Sequence, residues 1–222
     1  LFWGILRDGK KIESRPLESS TRSLWSTFKL PQVWVITVIG FCSWVTVTGL
    51  GSLWGIPYLM KIYHWTNAEA GGFYSVFWIG LGLGSPFVGW FSDRIRSRKI
   101  PFIFCFLLGT LSVLLYWAGP IIPKSLMVLV LFLLGFVAST QSLTFAAAKD
   151  IVPQEHFVAI SGLINLAAVL TGIAMQPLMG KLMDLHTKTP GNYSLGDYQF
   201  SLWPIFIFLM LGAGISVLLR KS

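Results

Sequence analysis

Long stretches of this chain carry no charged side chain at all. Asp, Glu, Lys and Arg are absent from residues 32 to 60, 70 to 92, 100 to 123, 125 to 148, 157 to 180 and 198 to 219. A helix in a soluble core keeps one polar face toward water, so six such runs argue against a water-soluble helical protein. Histidine is scarce as well: His64, His156 and His186 all fall between the runs, and none has the spacing of a metal site. No Gly-x-Ser-x-Gly nucleophile motif occurs either. These absences speak against a membrane-embedded enzyme, and neither a metal nor a cofactor is expected. The two cysteines, Cys42 and Cys105, lie inside apolar runs, where thiols pack as small apolar groups and no disulfide framework is expected.

What is present is apolar surface: 54% of the residues are hydrophobic and 12% charged. Each charge-free run exceeds the roughly 20 residues needed to cross a hydrocarbon layer of about 30 Å. The expectation is an all-α membrane protein with six transmembrane helices. Arg7, Lys10, Lys11, Arg15, Arg22, Lys29, Arg94, Arg96, Arg98, Lys99, Lys149, Arg220 and Lys221 lie on one side of the alternation; Lys61, Lys124, Lys181 and Lys188 lie on the other. The positive-inside rule makes the first side cytoplasmic, with both chain ends there. The net charge of +8 is then a consequence of topology, and no nucleic-acid partner is expected. Localisation follows as a multi-pass cell membrane protein, expected in a bacterial inner membrane.

Residues 1–6 read as the end of a preceding transmembrane helix, and residues 7–31 as a cytoplasmic linker turning amphipathic around Leu24, Trp25, Phe28 and Leu30. The six-helix domain occupies 32–219, and 220–222 form a cytoplasmic tail. The first run is too long for a straight crossing, and Gly49, Gly51, Gly55 and Pro57 mark the expected break. Trp34, Trp65, Trp90, Trp117 and Trp203 fall near run ends, as interfacial anchors do.

Pro86, Gly89 and Asp93 recur with the same spacing as Pro177, Gly180 and Asp184. Both copies close an apolar run, and the alternation puts them on opposite faces. Three helices followed by three of opposite orientation is the internal symmetry of many secondary transporters. The connection GWFSDRIRSRK, Gly89 to Lys99, resembles the signature loop of the major facilitator superfamily, although Arg96 stands where that loop usually has a turn glycine. LPQVW at Leu30 to Trp34, WGIPYL at Trp54 to Leu59, and the stretch from Asn67 to Gly71 resemble second halves of that family. The resemblance implies a 3+3 inverted repeat forming the C-terminal half of a twelve-helix transporter, with an N-terminal six-helix half as partner. It also implies that Gly89, Asp93, Arg94, Arg98 and Lys99 act as a conformational latch, Asp93 meeting the start of the fifth helix near Phe157.

Polar residues within the runs are the candidates for a solute cavity: Trp44, Thr48 and Ser52 on the first, Trp78 on the second, Gln141 and Thr144 on the fourth, and Asn165 and Gln176 on the fifth. Trp44, Gln141 and Asn165 are favoured as solute contacts, the Trp through stacking and the amides through hydrogen bonds. Cross-helix bonding within the protein is the rival role for each. Small glycine-bearing faces, Gly80, Gly84 and Gly89 on the second run and Gly162 and Gly172 on the fifth, serve either the missing half or internal packing. The function expected is alternating-access transport of a small polar solute across a lipid bilayer. The alternatives are efflux of an amphipathic drug, or a six-helix protein acting only as a dimer or scaffold.

Overall fold

In the computed structural model, residues 24–187, 189 and 192–220 are described. The expectations for residues 1–23 and for the tail beyond Arg220 lie outside them. Six helical rods carry the fold: α1 Pro31–Tyr63, α2 Asn67–Arg94, α3 Lys99–Trp117, α4 Lys124–Ile151, α5 Gln154–His186 and α6 Leu195–Ser216. Five are long and apolar enough to cross a membrane. The exception is α2, which at 28 residues is long enough but is diluted by six glycines, Ser75, Ser85 and Pro86. The expected six apolar crossings are thus matched by five, because the residues that let α2 pack closely are poor in hydrophobicity.

Two rods are interrupted, each for a local reason. In α1 the helix Pro31–Ser43 stops at Trp44, a widened π-helical stretch covers Val47–Trp54, and a helix resumes over Gly55–Tyr63. Pro57 has no N–H for the carbonyl of Leu53 and its ring crowds that group, which favours a wider turn just before it. The widened stretch contains Gly49 and Gly51 and ends at Gly55, where the break is expected, and a first interruption at Trp44 precedes it. In α4 the interruption is at Ser139, between Lys124–Ala138 and Thr140–Ile151. Ser139, Thr140, Ser142 and Thr144 each donate a hydroxyl to the carbonyl three residues earlier, at 2.6 to 2.8 Å. Four such bonds in succession compete with the backbone ladder and bend it.

Packing follows the small residues. α1 lies against α5 and α6, α4 against α2 and α3, α3 against α6, and α1 meets α4 directly. Exchanging α1 with α4, α2 with α5 and α3 with α6 leaves this set of neighbours unchanged. The α2–α4 contact is a glycine crossing: a Cβ on Gly80 would collide with the Phe132 carbonyl, and one on Gly135 with that of Phe77. Gly84 sits close to the Ser139 side chain, whereas Gly89 and Gly162 face open space. The five end-of-helix tryptophans divide: Trp34, Trp90, Trp117 and Trp203 are about half exposed, while Trp65 lies between Tyr63 and Phe73 with the Lys124 ammonium 4.9 Å from its ring. Cys42 and Cys105 are buried free thiols.

Candidate functional site

The two interruptions face one another. Ser43, the last residue before the α1 break, hydrogen-bonds at 2.5 Å to Oε1 of Gln141, just after the α4 break. Around this junction lies a cavity of about 320 Å³ lined by Trp44, Leu81, Ser85, Ala138, Ser139, Gln141, Ser142 and Phe145. Its surface is almost wholly apolar, since the hydroxyls of Ser85, Ser139 and Ser142 each donate to a carbonyl three or four residues earlier, while Gln141 brings a buried amide to its wall. Nε2 of Gln141 is buried without a hydrogen-bond partner. An unpaired buried amide donor costs about 1 to 3 kcal/mol, so a polar group brought to this junction would find a donor to engage.

Trp44 and Gln141 thus meet at one cavity, as does none of the other sequence candidates. Thr144 is fully buried and donates to the Gln141 carbonyl at 2.6 Å, so it shapes the α4 break from behind. Thr48 and Gln176 form a second group between α1 and α5. The Gln176 side chain donates to the Thr48 carbonyl at 3.3 Å, and the Trp54 indole donates to the Gln176 carbonyl at 3.2 Å. Ser52 is exposed and donates to the Val47 carbonyl at 2.9 Å, spanning one widened turn. Trp78 is half exposed, edge-on to Phe77. Asn165 is exposed on α5, away from the cavity lining. Ser43, Ser85, Ser139, Ser142 and Phe145 complete the junction without having been singled out; the hydroxyl-rich run after Ala138 was the one available signal.

At the face carrying the basic connection, Arg98 joins two carboxylates. Its guanidinium contacts Asp93 at 2.5 Å and Asp150, at the end of α4, at 2.8 Å, and it also donates to Ser92. Partial burial disfavours the Arg98 charge, but Asp150 and Asp93 more than offset this and hold its pKa above the ordinary value. Asp93 therefore pairs within its own connection, and through Arg98 with α4, instead of meeting the start of α5 near Phe157. Lys99 donates to the Val217 carbonyl at 2.5 Å, tying α3 to the end of α6. Arg94 and Gly89 lie beside the network without joining it. Arg96 has φ 49°, in the left-handed region where glycine is favoured. The same face holds the buried His156, whose Nδ1 lies 2.7 Å from the Thr27 hydroxyl and seats the segment before α1 on the start of α5.

At the opposite face the α5–α6 connection is also tied back. His186 Nδ1 lies 2.6 Å from Asp197, whose other oxygen accepts from the backbone N–H and hydroxyl of Ser194 in a capping box. His186 and Ser194 together satisfy both carboxylate oxygens of Asp197. Asp184, the counterpart of Asp93 in the repeat, accepts from the Tyr193 hydroxyl at 2.5 Å. Among the described residues no group of three or more His, Cys, Asp and Glu could hold a metal ion.

A family model described as Major Facilitator Superfamily matches residues 1–175. No curated protein matches the chain.

Proposed function

Because the chain belongs to the major facilitator superfamily, a family of membrane transporters, we propose that it forms the C-terminal six-helix half of a secondary transporter that moves a small polar solute by alternating access. The observation that carries this reading is the junction of the two broken helices, where an unsatisfied amide donor and three serine residues border one cavity with Trp44. Discontinuous helices meeting inside a membrane protein are where transporters bind solute, because freed polar groups there line a cavity and not lipid. The unchanged set of helix neighbours under exchange of the two triplets supports a 3+3 repeat.

In this reading Trp44 and Gln141 contact the solute, the Trp by ring area and the Gln by its free amide. Thr48, Ser52, Trp78, Thr144, Asn165 and Gln176 belong to the wider cavity wall, Asn165 and Ser52 on surface turned toward an N-terminal half. Asp93 and Arg98, with Lys99 tying α3 to α6, carry the latch, Gly89 and Arg94 standing beside it, with the basic face cytoplasmic in a bacterial inner membrane. No charge lines the Gln141 cavity, which favours a neutral polar solute over an organic ion. Leu81, Phe145 and Trp44 give the same cavity an apolar side that suits an amphipathic drug, so the assay must carry both classes.

The test is solute flux into proteoliposomes containing the full-length protein, with neutral polar metabolites, organic ions and amphipathic cations presented in turn. Saturable flux of a neutral polar solute, lost in Gln141→Leu with folding retained, is the expected result. Flux of amphipathic cations alone would move the assignment to drug efflux, and no flux of any class would overturn it.

A further inference from the structure

The latch uses one copy of the Pro-x-x-Gly-x-x-x-Asp repeat and leaves the other, ending in Asp184, without a role. Yet the two aspartates begin chains of contacts with the same plan. From Asp93 at the end of α2, Arg98 of the following connection reaches Asp150 in Thr140–Ile151, the segment of α4 beyond its break. From Asp184 near the end of α5, Tyr193 of the following connection donates its hydroxyl back at 2.5 Å. The Tyr193 ring stands edge-on to Tyr198, with centroids 6.2 Å apart and planes at 80°. Tyr198 lies 6.0 Å from Tyr58, in Gly55–Tyr63, the segment of α1 beyond its break. Exchanging α1 with α4 and α2 with α5 maps the ends of the first chain onto those of the second, which passes in addition through Tyr198 of α6.

We propose that Asp184, Tyr193 and Tyr198 form a second clasp, which positions the segment of α1 beyond its break as Asp93 and Arg98 position the segment of α4 beyond its break; this rests on the transport reading above, in which the two broken helices meet at the solute cavity. Tyr58 already seats the α1 segment on α3, its hydroxyl donating to the carbonyls of Tyr116 and Trp117 at 3.0 and 3.1 Å. The clasp adds the tie to α5. Asp184 also holds the Tyr193 phenol above its ordinary pKa, so it remains a donor throughout the physiological range. The two clasps differ in chemistry. One is a partly exposed ion pair that dissolved salt screens; the other is a phenol hydrogen bond and two ring contacts, which salt affects little. Tyr193 and Tyr198 are positioning residues, acting on solute only through α1.

The experiment is amide hydrogen exchange on the full-length protein in bilayers without solute, comparing residues 55–63 with residues 140–151. Tyr193→Phe and Tyr198→Ala should each raise exchange over 55–63 by about two- to fivefold, the size of one weakened contact, and leave 140–151 unchanged. Tyr198→Phe keeps the ring and should retain the wild-type rate. Arg98→Gln should show the reverse pattern, as should about 1 M potassium chloride on the wild-type protein. Unchanged exchange over 55–63 in both Tyr193→Phe and Tyr198→Ala, or an equal rise at both segments, would overturn the proposal. Exchange is read with no solute present, so its failure is distinct from a failure to transport.

Discussion

Gln141 is where stability and function pull apart. Its Nε2 has no partner, so Gln141→Leu removes an unsatisfied donor together with one hydrogen bond to Ser43. The two effects oppose each other, and the melting temperature of the full-length protein should move by no more than about 1 kcal/mol equivalent while solute flux is lost. A large stability loss would make Gln141 a packing residue. Arg96 offers the opposite test: a non-glycine residue in the left-handed region costs about 1 to 2 kcal/mol. Since φ there is 49°, Arg96→Gly should raise thermal stability by about 1 kcal/mol, less what glycine adds to the freedom of the unfolded chain. The glycine expected at this turn from the family's loop was thus a readable backbone requirement, although its fulfilment by arginine was not.

Among the elements, α2 shows what a helix gives up for close contact. Its glycines make it the least apolar of the six rods, yet two of them let α4 approach to backbone contact. Gly80→Ala should therefore cost about 3 kcal/mol, because the obstacle is the Phe132 carbonyl and cannot rotate away. Gly82→Ala meets nothing and should be neutral or stabilising by about 0.5 to 1 kcal/mol. Detergent melting curves of the two variants check both. Four-residue glycine spacing was plain in the sequence, but it could not tell Gly80 and Gly84, which pack inside, from Gly89, which does not. That distinction depends on which side of α2 another helix occupies. The helix breaks were half legible for the same reason. Pro57 and the Ser/Thr run after Ala138 are local signals, but that the two breaks meet is a fact of packing.

At the scale of the molecule, the basic face is held by one arginine shared between two carboxylates. Arg98→Gln leaves Asp93 and Asp150 facing each other unneutralised, and should lower stability by about 1 to 2 kcal/mol in dilute buffer. In about 1 M salt, where the screening length is about 3 Å, the gap between variant and wild type should narrow. A gap unaffected by salt would mean that Arg98 acts through packing and not charge.

The sequence by itself determined the membrane class, the order of the helices, the recurrence of the Pro-x-x-Gly-x-x-x-Asp pattern and the family. All of these rest on patterns local to the chain: the length of charge-free runs, the alternation of connections, and a loop of fixed spacing. Only the tertiary structure decided that Trp44 and Gln141 share a cavity while Asn165 does not, that Asp93 reaches α4 through Arg98, and that Asp184 binds Tyr193. Each joins residues whose encounter is set by how helices rotate and cross. Rotation about a helix axis is fixed by side-chain packing across many residues at once, and in an apolar run almost every face is equally hydrophobic. Periodicity then carries no signal for which face looks inward, and the site stays unread until the helices are brought together.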